Sequence, residues 1–93
     1  MLAYDVDWLP IEKGGLIEKK MRPWVTKKIA DYLGEEEPML IKYVLEMLAE
    51  KEAANDVIEK LGAVLEPDEA ETFVIKLWRY LIFESMRFQA GLL

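Results

Sequence analysis

The sequence contains neither cysteine nor histidine. Without cysteine the chain can form no disulfide, thiolate metal site or thiol nucleophile. Without histidine it has no Ser-His triad, and it lacks the side chain that usually transfers protons near neutral pH. A zinc site would need carboxylates alone, which is a rare ligand set. These absences exclude most catalytic chemistry, so we expect no enzyme activity, no cofactor and no small-molecule substrate.

Long apolar runs are also missing. No stretch approaches the roughly 18 residues that a membrane span needs, so no membrane partner is expected. The first residues, MLAYDVDW, are acidic where a signal peptide is basic, so we do not expect them to be one. The 93 residues, of which 53% are hydrophobic and 32% charged, suffice for one globular domain with a single core.

Apolar residues recur at helical spacing, and strand-like alternation is absent, so the sequence predicts an all-α fold with five helices. The predicted helices run from about Asp7 to Lys20, from Pro23 to Leu33, from Pro38 to about Lys51, from the N-cap Asn55 through Leu65, and from Pro67 or Asp68 to Phe88 or beyond. The last helix has the widest apolar stripe and is expected to form the spine of a compact bundle.

Glycine and aspartate mark several of the predicted helix ends. Asp7 is a suitable N-cap for the first helix, and Gly34 suits the position after the second. Gly14 and Gly15 fall inside the first predicted helix, where each costs about 1 kcal/mol relative to alanine. Either the helix breaks there, or another element packs against the bare backbone.

Charge is distributed unevenly along the chain, whose total is −6. Residues 13–28 contain six basic side chains opposed only by Glu18, which gives this stretch +5 and leaves −11 for the remainder. The six are Lys13, Lys19, Lys20, Arg22, Lys27 and Lys28. They are candidate phosphate-binding residues, since each phosphate neutralised by a basic side chain releases counterions. The alternative is a solvated surface whose cations favour a helix C-terminus.

Trp24 follows Pro23 at a helix start, with Lys27 and Lys28 one turn later. A tryptophan beside cations can stack on a nucleobase, but a tryptophan in this position is more often a packing anchor between helices. Trp78 lies in the apolar stripe of the last helix and is expected to be structural.

The acidic clusters and hydroxyl groups give weaker signals. The runs at 35–37 and 66–71 are interpreted as charge at helix starts, because neither has the ligand spacing and turn glycine of an EF-hand loop. Ser85 and Thr26 have no histidine to activate them. No Gly-rich phosphate loop is present, since Gly14 and Gly15 lack the surrounding motif.

The tripeptide at 23–25, Pro-Trp-Val, resembles the Pro-Trp-Ile signature of PWI domains. The GEEE turn at 34–37, the spacing to FVIKLWR at 73–79, and the long final helix containing LWRYLIFE at 77–84 are also similar to that family. The resemblance covers about residues 5–93. It is strongest to the C-terminal PWI domain of the RNA-binding motif protein 25 family of splicing regulators. Valine in place of isoleucine removes one methylene group, a change that cores tolerate.

This resemblance implies a four-helix bundle with an additional N-terminal helix, in a nuclear protein of pre-mRNA splicing. The single domain 1–93 would comprise an N-terminal helix and basic flank at 1–22 and a core bundle at 23–93. It also implies binding to RNA, and to single- or double-stranded DNA, with little sequence preference. In this chain the basic-flank role would fall on Lys19, Lys20, Arg22, Lys27 and Lys28.

A second function remains open. The −11 remainder of the chain could receive Arg-rich segments, which would make the domain a protein-interaction module that docks spliceosomal proteins through its acidic surface. The deciding observation is geometric. If the basic residues converge on one surface free of carboxylates, nucleic-acid binding is favoured; if Asp5, Asp7, Glu12, Glu18 and Asp31 interleave with them, it is weakened.

Overall fold

The computed structural model describes residues 6–91, and within that range the fold is all-α, as predicted, with no strand. Residues 1–5, which include Asp5 and the start of the MLAYDVDW segment, lie outside the described residues, as do 92–93. The elements are α1 (Trp8–Gly14), a π-helical segment (Ile17–Met21), α2 (Arg22–Leu33), α3 (Pro38–Ala49), α4 (Ala54–Leu61) and α5 (Pro67–Gln89).

Several helix ends follow the predicted chemistry, but the predicted helix start at Pro23 is wrong: α2 begins at Arg22 and continues directly from the π-helical segment. The Asp7 carboxylate accepts a hydrogen bond from the Leu9 N–H at 3.2 Å and caps α1. Gly34 ends α2 with a left-handed φ of 82°, a conformation that glycine adopts at no steric cost. The predicted cap at Asn55 is wrong: the N-cap position of α4 is Ala53, two residues earlier, and Ala53 makes no side-chain capping bond. The helix also ends at Leu61, before the predicted Leu65.

The first helix is shorter than the predicted 7–20, and both explanations offered for its two glycines hold. Gly15 has a φ of 60° and ends α1, with its N–H directed to the carbonyls of Ile11 and Glu12. Gly14 is a point of close approach, since the ring of Phe88 on α5 lies where a Cβ would stand. Gly15 therefore ends the helix, and the adjacent Gly14 allows α5 to pack closely against it.

The π-helical segment keeps the buried residues in register. Leu16, Met21, Val25 and Ile29 are all buried, and their spacings are five, four and four residues. A regular α-helix would place the residue four positions after Leu16, which is Lys20, against the core. The wider turn, with its i→i+5 hydrogen bonding, brings Met21 into the core instead and leaves Lys20 partly exposed.

One cluster of buried side chains includes residues from all five helices, and α5 contributes the largest share, as expected for the spine. Trp78 is buried on α5 and meets Trp8 of α1 edge to face, with ring centroids 6.2 Å apart. Two large apolar side chains near helix ends are exposed, Leu33 at the end of α2 and Val64 beyond the end of α4.

No helix within residues 6–91 has the length and apolar composition needed to cross a bilayer.

Candidate nucleic-acid interface

Three of the six predicted binding residues converge on one shallow groove. Lys13 lies in the last turn of α1, and Lys19 and Lys20 lie in the π-helical segment that follows. The groove has a volume of about 390 Å³. We call it the lysine groove, and it is lined by Lys13, Gly14, Leu16, Lys19, Lys20 and Phe88. No carboxylate lines it, so three ammonium groups surround an apolar floor.

Arg22 is already paired. Its Nε and Nη2 donate to the two carboxylate oxygens of Glu18 at 2.7 and 3.1 Å, one helical turn earlier. The hydrogen bond from Arg22 lowers the pKa of Glu18 below its ordinary value, and the same bond raises the pKa of Arg22. The pair is neutral overall, so Arg22 offers a phosphate less than its formal charge suggests.

Lys27 and Lys28 lie apart from the lysine groove, on α2. Lys27 is exposed and does not line the lysine groove. The Lys28 ammonium lies over the Trp24 ring, 5.7 Å from its centroid, in a cation–π contact. The six predicted residues therefore do not form a single lining set.

Carboxylates near these cations are mostly engaged elsewhere. Glu12 pairs with Lys51 at 2.6 Å, and Asp7 accepts a hydrogen bond from Gln89 at 3.2 Å in addition to capping α1. Asp31 is exposed on α2, and Asp5 lies outside the described residues. Among the acidic residues within 6–91, Glu18 alone forms an ion pair with one of the six basic residues.

A second cationic surface, not predicted from the sequence, lies between α2 and α5. We call it the aromatic–basic groove, and it is lined by Trp24, Lys28, Lys76, Arg79, Tyr80 and Phe83. Four of its residues lie on α5 at positions 76, 79, 80 and 83, a three-and-four spacing that puts them on one helix face. That spacing is visible in the sequence, but the apolar stripe of α5 predicts only the buried face of the helix.

Aromatic rings form a connected cluster beneath this groove. Trp24 stacks on Tyr80 with ring centroids 5.6 Å apart and an angle of 14° between the planes, and it also contacts Phe73 at 5.8 Å. Tyr32 meets the other side of this cluster, 5.9 Å from Phe73. The packing interpretation of Trp24 is confirmed, because its ring joins α2 to α5.

The Tyr80 hydroxyl remains uncharged at neutral pH. Burial raises the pKa of Tyr80 above its ordinary value of 10, and the nearby carboxylate of Glu84 raises it further. The aromatic–basic groove thus contains three cations and no negative charge among its lining side chains.

An acidic groove lies at the start of α4, lined by Glu52, Asp56, Glu59 and Lys60. Lys60 donates to Glu52 at 2.7 Å, and this hydrogen bond raises the pKa of Lys60. Within residues 6–91 no group of three or more acidic side chains is arranged to hold a metal ion.

Five packed helices with two cationic grooves on their surface define a small helical-bundle domain with locally concentrated positive charge. The chain belongs to the PWI domain family, which its sequence matches over residues 19–87. It is 38% identical over 91 residues to "RNA-binding motif protein 25" of Arabidopsis thaliana, and 36% identical over 92 residues to "RNA-binding protein 25" of Homo sapiens.

It is also 33% identical over 79 residues to "U1 snRNP-associated protein usp107" of Schizosaccharomyces pombe. The matches cover 98%, 99% and 85% of this chain, in the order given. The chain spans only 10 to 11% of the length of these relatives. The resemblance noted in the sequence is thereby confirmed.

Proposed function

We propose that this domain is a non-catalytic nucleic-acid-binding module of a nuclear pre-mRNA splicing factor, and that it contacts RNA phosphates with little sequence preference. The observation that carries the proposal is the lysine groove, where Lys13, Lys19 and Lys20 line one surface without a carboxylate. Within residues 6–91 none of these three lysines makes an ion pair. Their charges are therefore available to an external anion.

The relatives support the class of ligand. Two carry RNA binding in their names, and a third is named for association with the U1 snRNP. RNA and spliceosomal proteins are accordingly the proposed partners, with DNA as a further polyanion that the same lysines would accept. Ammonium groups recognise phosphate as point charges, which favours binding without base readout.

Lys27, Lys28 and Arg22 would extend the contact along α2. Lys27 is exposed and adds charge directly, whereas Arg22 is held by Glu18 and contributes less. The proposal therefore ranks the six predicted residues: the three of the lysine groove first, Lys27 and Lys28 next, and Arg22 last.

Charge neutralisation with a matched control tests the proposal. The groove variant K13Q/K19Q/K20Q is compared with K42Q/K51Q/K60Q, which removes the same charge from lysines that pair with Glu46, Glu12 and Glu52. Binding of labelled single-stranded RNA is measured by fluorescence anisotropy between 25 and 200 mM salt.

The groove variant should lose at least about tenfold in affinity at the lowest salt, and its slope of log affinity against log salt should fall by about 2, roughly 0.7 per lost contact. The control should change affinity by less than about threefold. Equal losses of RNA affinity in both variants would show that net charge alone determines binding, which would contradict a localised site.

A second candidate function is docking of an Arg-rich segment of a spliceosomal protein. The observation in its favour is the acidic groove of Glu52, Asp56 and Glu59. The variant E52Q/D56N/E59Q would release such a partner in a pull-down from nuclease-treated nuclear extract while RNA binding persists. Partners lost on nuclease treatment alone would instead be tethered through RNA.

A further inference from the structure

We propose that the aromatic–basic groove binds unpaired nucleotides of single-stranded RNA, with a base stacked on Phe83 and backbone phosphates held by Lys28, Lys76 and Arg79. This rests on the proposed function and deepens it, because it gives the domain a second contact that distinguishes single strands from duplexes. The lysine groove would hold phosphates of either form.

Phe83 supplies the ring. It is 54% exposed although it lies in the middle of the C-terminal half of α5, a helix whose other face forms the core. Trp24 and Tyr80 are stacked on one another and Trp24 rests on buried Phe73, so they form a fixed floor. Phe83 is the ring of this groove with more than half of its surface open to a ligand.

The face of Phe83 opposite to Arg87 is the one that a base would use. The Arg87 guanidinium lies over the ring with its Cζ 5.5 Å from the ring centroid, and it is held there by Glu84 at 3.0 Å. This arrangement fixes the ring from one side. A base stacking on the other side leaves the contact between Arg87 and Phe83 in place.

Three cations border the rings. Lys28 is positioned by Trp24, while Lys76 and Arg79 are exposed on α5, two turns and one turn before Phe83, respectively. Within residues 6–91 neither Lys76 nor Arg79 makes an ion pair. Rings that stack on bases, flanked by cations that follow the backbone, are the combination with which proteins bind single strands.

The groove has room for one or two nucleotides. Its volume is about 340 Å³, at the small end of the range of about 300 to 1,000 Å³ for ligand pockets. A base can offer its face to Phe83 only when it is unpaired and unstacked, so a continuous duplex would not use this groove. An acidic peptide would satisfy the cations but does not need an aromatic ring at position 83.

The test uses the 93-residue chain with three substitutions at one site. Affinities for labelled oligouridine and for an RNA duplex with the same number of phosphates are measured at low salt. Phe83→Ala and Phe83→Leu should weaken oligouridine binding by about 5- to 100-fold, the loss expected from one base–ring stack. Phe83→Tyr should retain it, because the π-face remains. Duplex binding should change by less than about twofold in all three.

The cations have their own test. The variant K76Q/R79Q should lower the salt slope for oligouridine by about 1.4, and K42Q/K51Q is its control. The melting temperature and helical circular dichroism of each variant establish that the fold is retained. Position 83 is suited to substitution since its ring lies outside the core.

The outcomes separate this inference from the proposed function. If the unmodified chain binds neither RNA, both are wrong. If K13Q/K19Q/K20Q weakens binding but Phe83→Ala does not, or if Phe83→Ala weakens duplex and single strand equally, the stacking site alone is overturned. If Phe83→Leu binds oligouridine as tightly as the unmodified chain, and a polyglutamate peptide displaces oligouridine, the groove is an acidic-peptide site. This result would also overturn the stacking site.

Discussion

Phe88 on α5 lies directly against Gly14 at the end of α1: a Cβ on Gly14 would stand 2.8 Å from Phe88 Cδ1 and 3.1 Å from Leu16 Cδ2. All three residues line the lysine groove. The contact therefore fixes the position of α1 on the spine helix and shapes the floor between the groove lysines.

Gly14→Ala should destabilise the domain by about 1 to 3 kcal/mol, the usual effect of forcing a methyl group into a packed contact. The loss should largely disappear in a Phe88→Ala background, where the methyl group has room. Urea unfolding of the four proteins of this double-mutant cycle measures the coupling. Equal losses in the two backgrounds would show that Phe88 does not restrict position 14.

Glu18→Gln should strengthen RNA binding by about two- to fivefold at low salt, because it releases the Arg22 guanidinium for a phosphate and removes a negative charge. Glu46→Gln is the matched control, since Glu46 also pairs with a cation four residues away, Lys42, but on α3. A gain in both variants would reflect net charge alone.

The advantage of Glu18→Gln should depend on pH in a defined direction. Arg22 holds the pKa of Glu18 below its ordinary value of 4.5, so the carboxylate stays charged, and the pair stays formed, from neutral pH down through 4.5. As the pH falls through the lowered pKa, Glu18 becomes neutral. The unmodified chain should then bind RNA as tightly as the Glu18→Gln variant. Titration of the two proteins with oligouridine over a range of pH tests this prediction. Equal affinities already above pH 5 would contradict it.

Truncation of Phe73 should lower the free energy of unfolding far more than truncation of Phe83. Phe73→Ala should cost about 3 to 5 kcal/mol, because its ring is buried and contacts Trp24 and Tyr32. Phe83→Ala should change the free energy of unfolding by no more than about 0.5 kcal/mol, as for other exposed positions. Chemical denaturation measures both, and a large loss at position 83 would assign that ring to the core.

Arg87→Ala should destabilise the domain by about 3 kcal/mol, since it leaves the buried carboxylate of Glu84 without its cation. Within residues 6–91 the second oxygen of Glu84 accepts no hydrogen bond, so the carboxylate has little other support. Adding Glu84→Gln to Arg87→Ala should recover part of the loss, because the amide carries no charge. Failure of this rescue would show that Arg87 acts through its contact with Phe83 instead.

The helices were predictable because their signals are local. Pro38 and Pro67 start helices, Gly34 ends one, and apolar periodicity identifies the core face. The predicted cap at Asn55 failed because Asn55, although a good capping residue, is the second residue of a helix that begins without a side-chain cap. Val57 and Leu61, the buried residues of α4, hold the helix against the core without a side-chain cap.

The candidate site was predictable only in part because it depends on tertiary contacts. Sequence proximity grouped six basic residues, but the fold assigns three to one groove, one to another and one to an ion pair, and it leaves Lys27 outside all of these. Lys76 and Arg79 join Lys28 only when α5 packs beside α2, some fifty positions away in the chain. No local pattern encodes that neighbourhood.

The five-residue step from Leu16 to Met21 has a consequence for changes in chain length. Deleting Lys19 or Lys20 would shorten the step to four residues and allow an ordinary α-helical turn, with both apolar side chains still facing inward. An insertion or deletion in most helices rotates every later residue away from its place. Here the loss of one codon would alter the surface charge and leave the interior aligned.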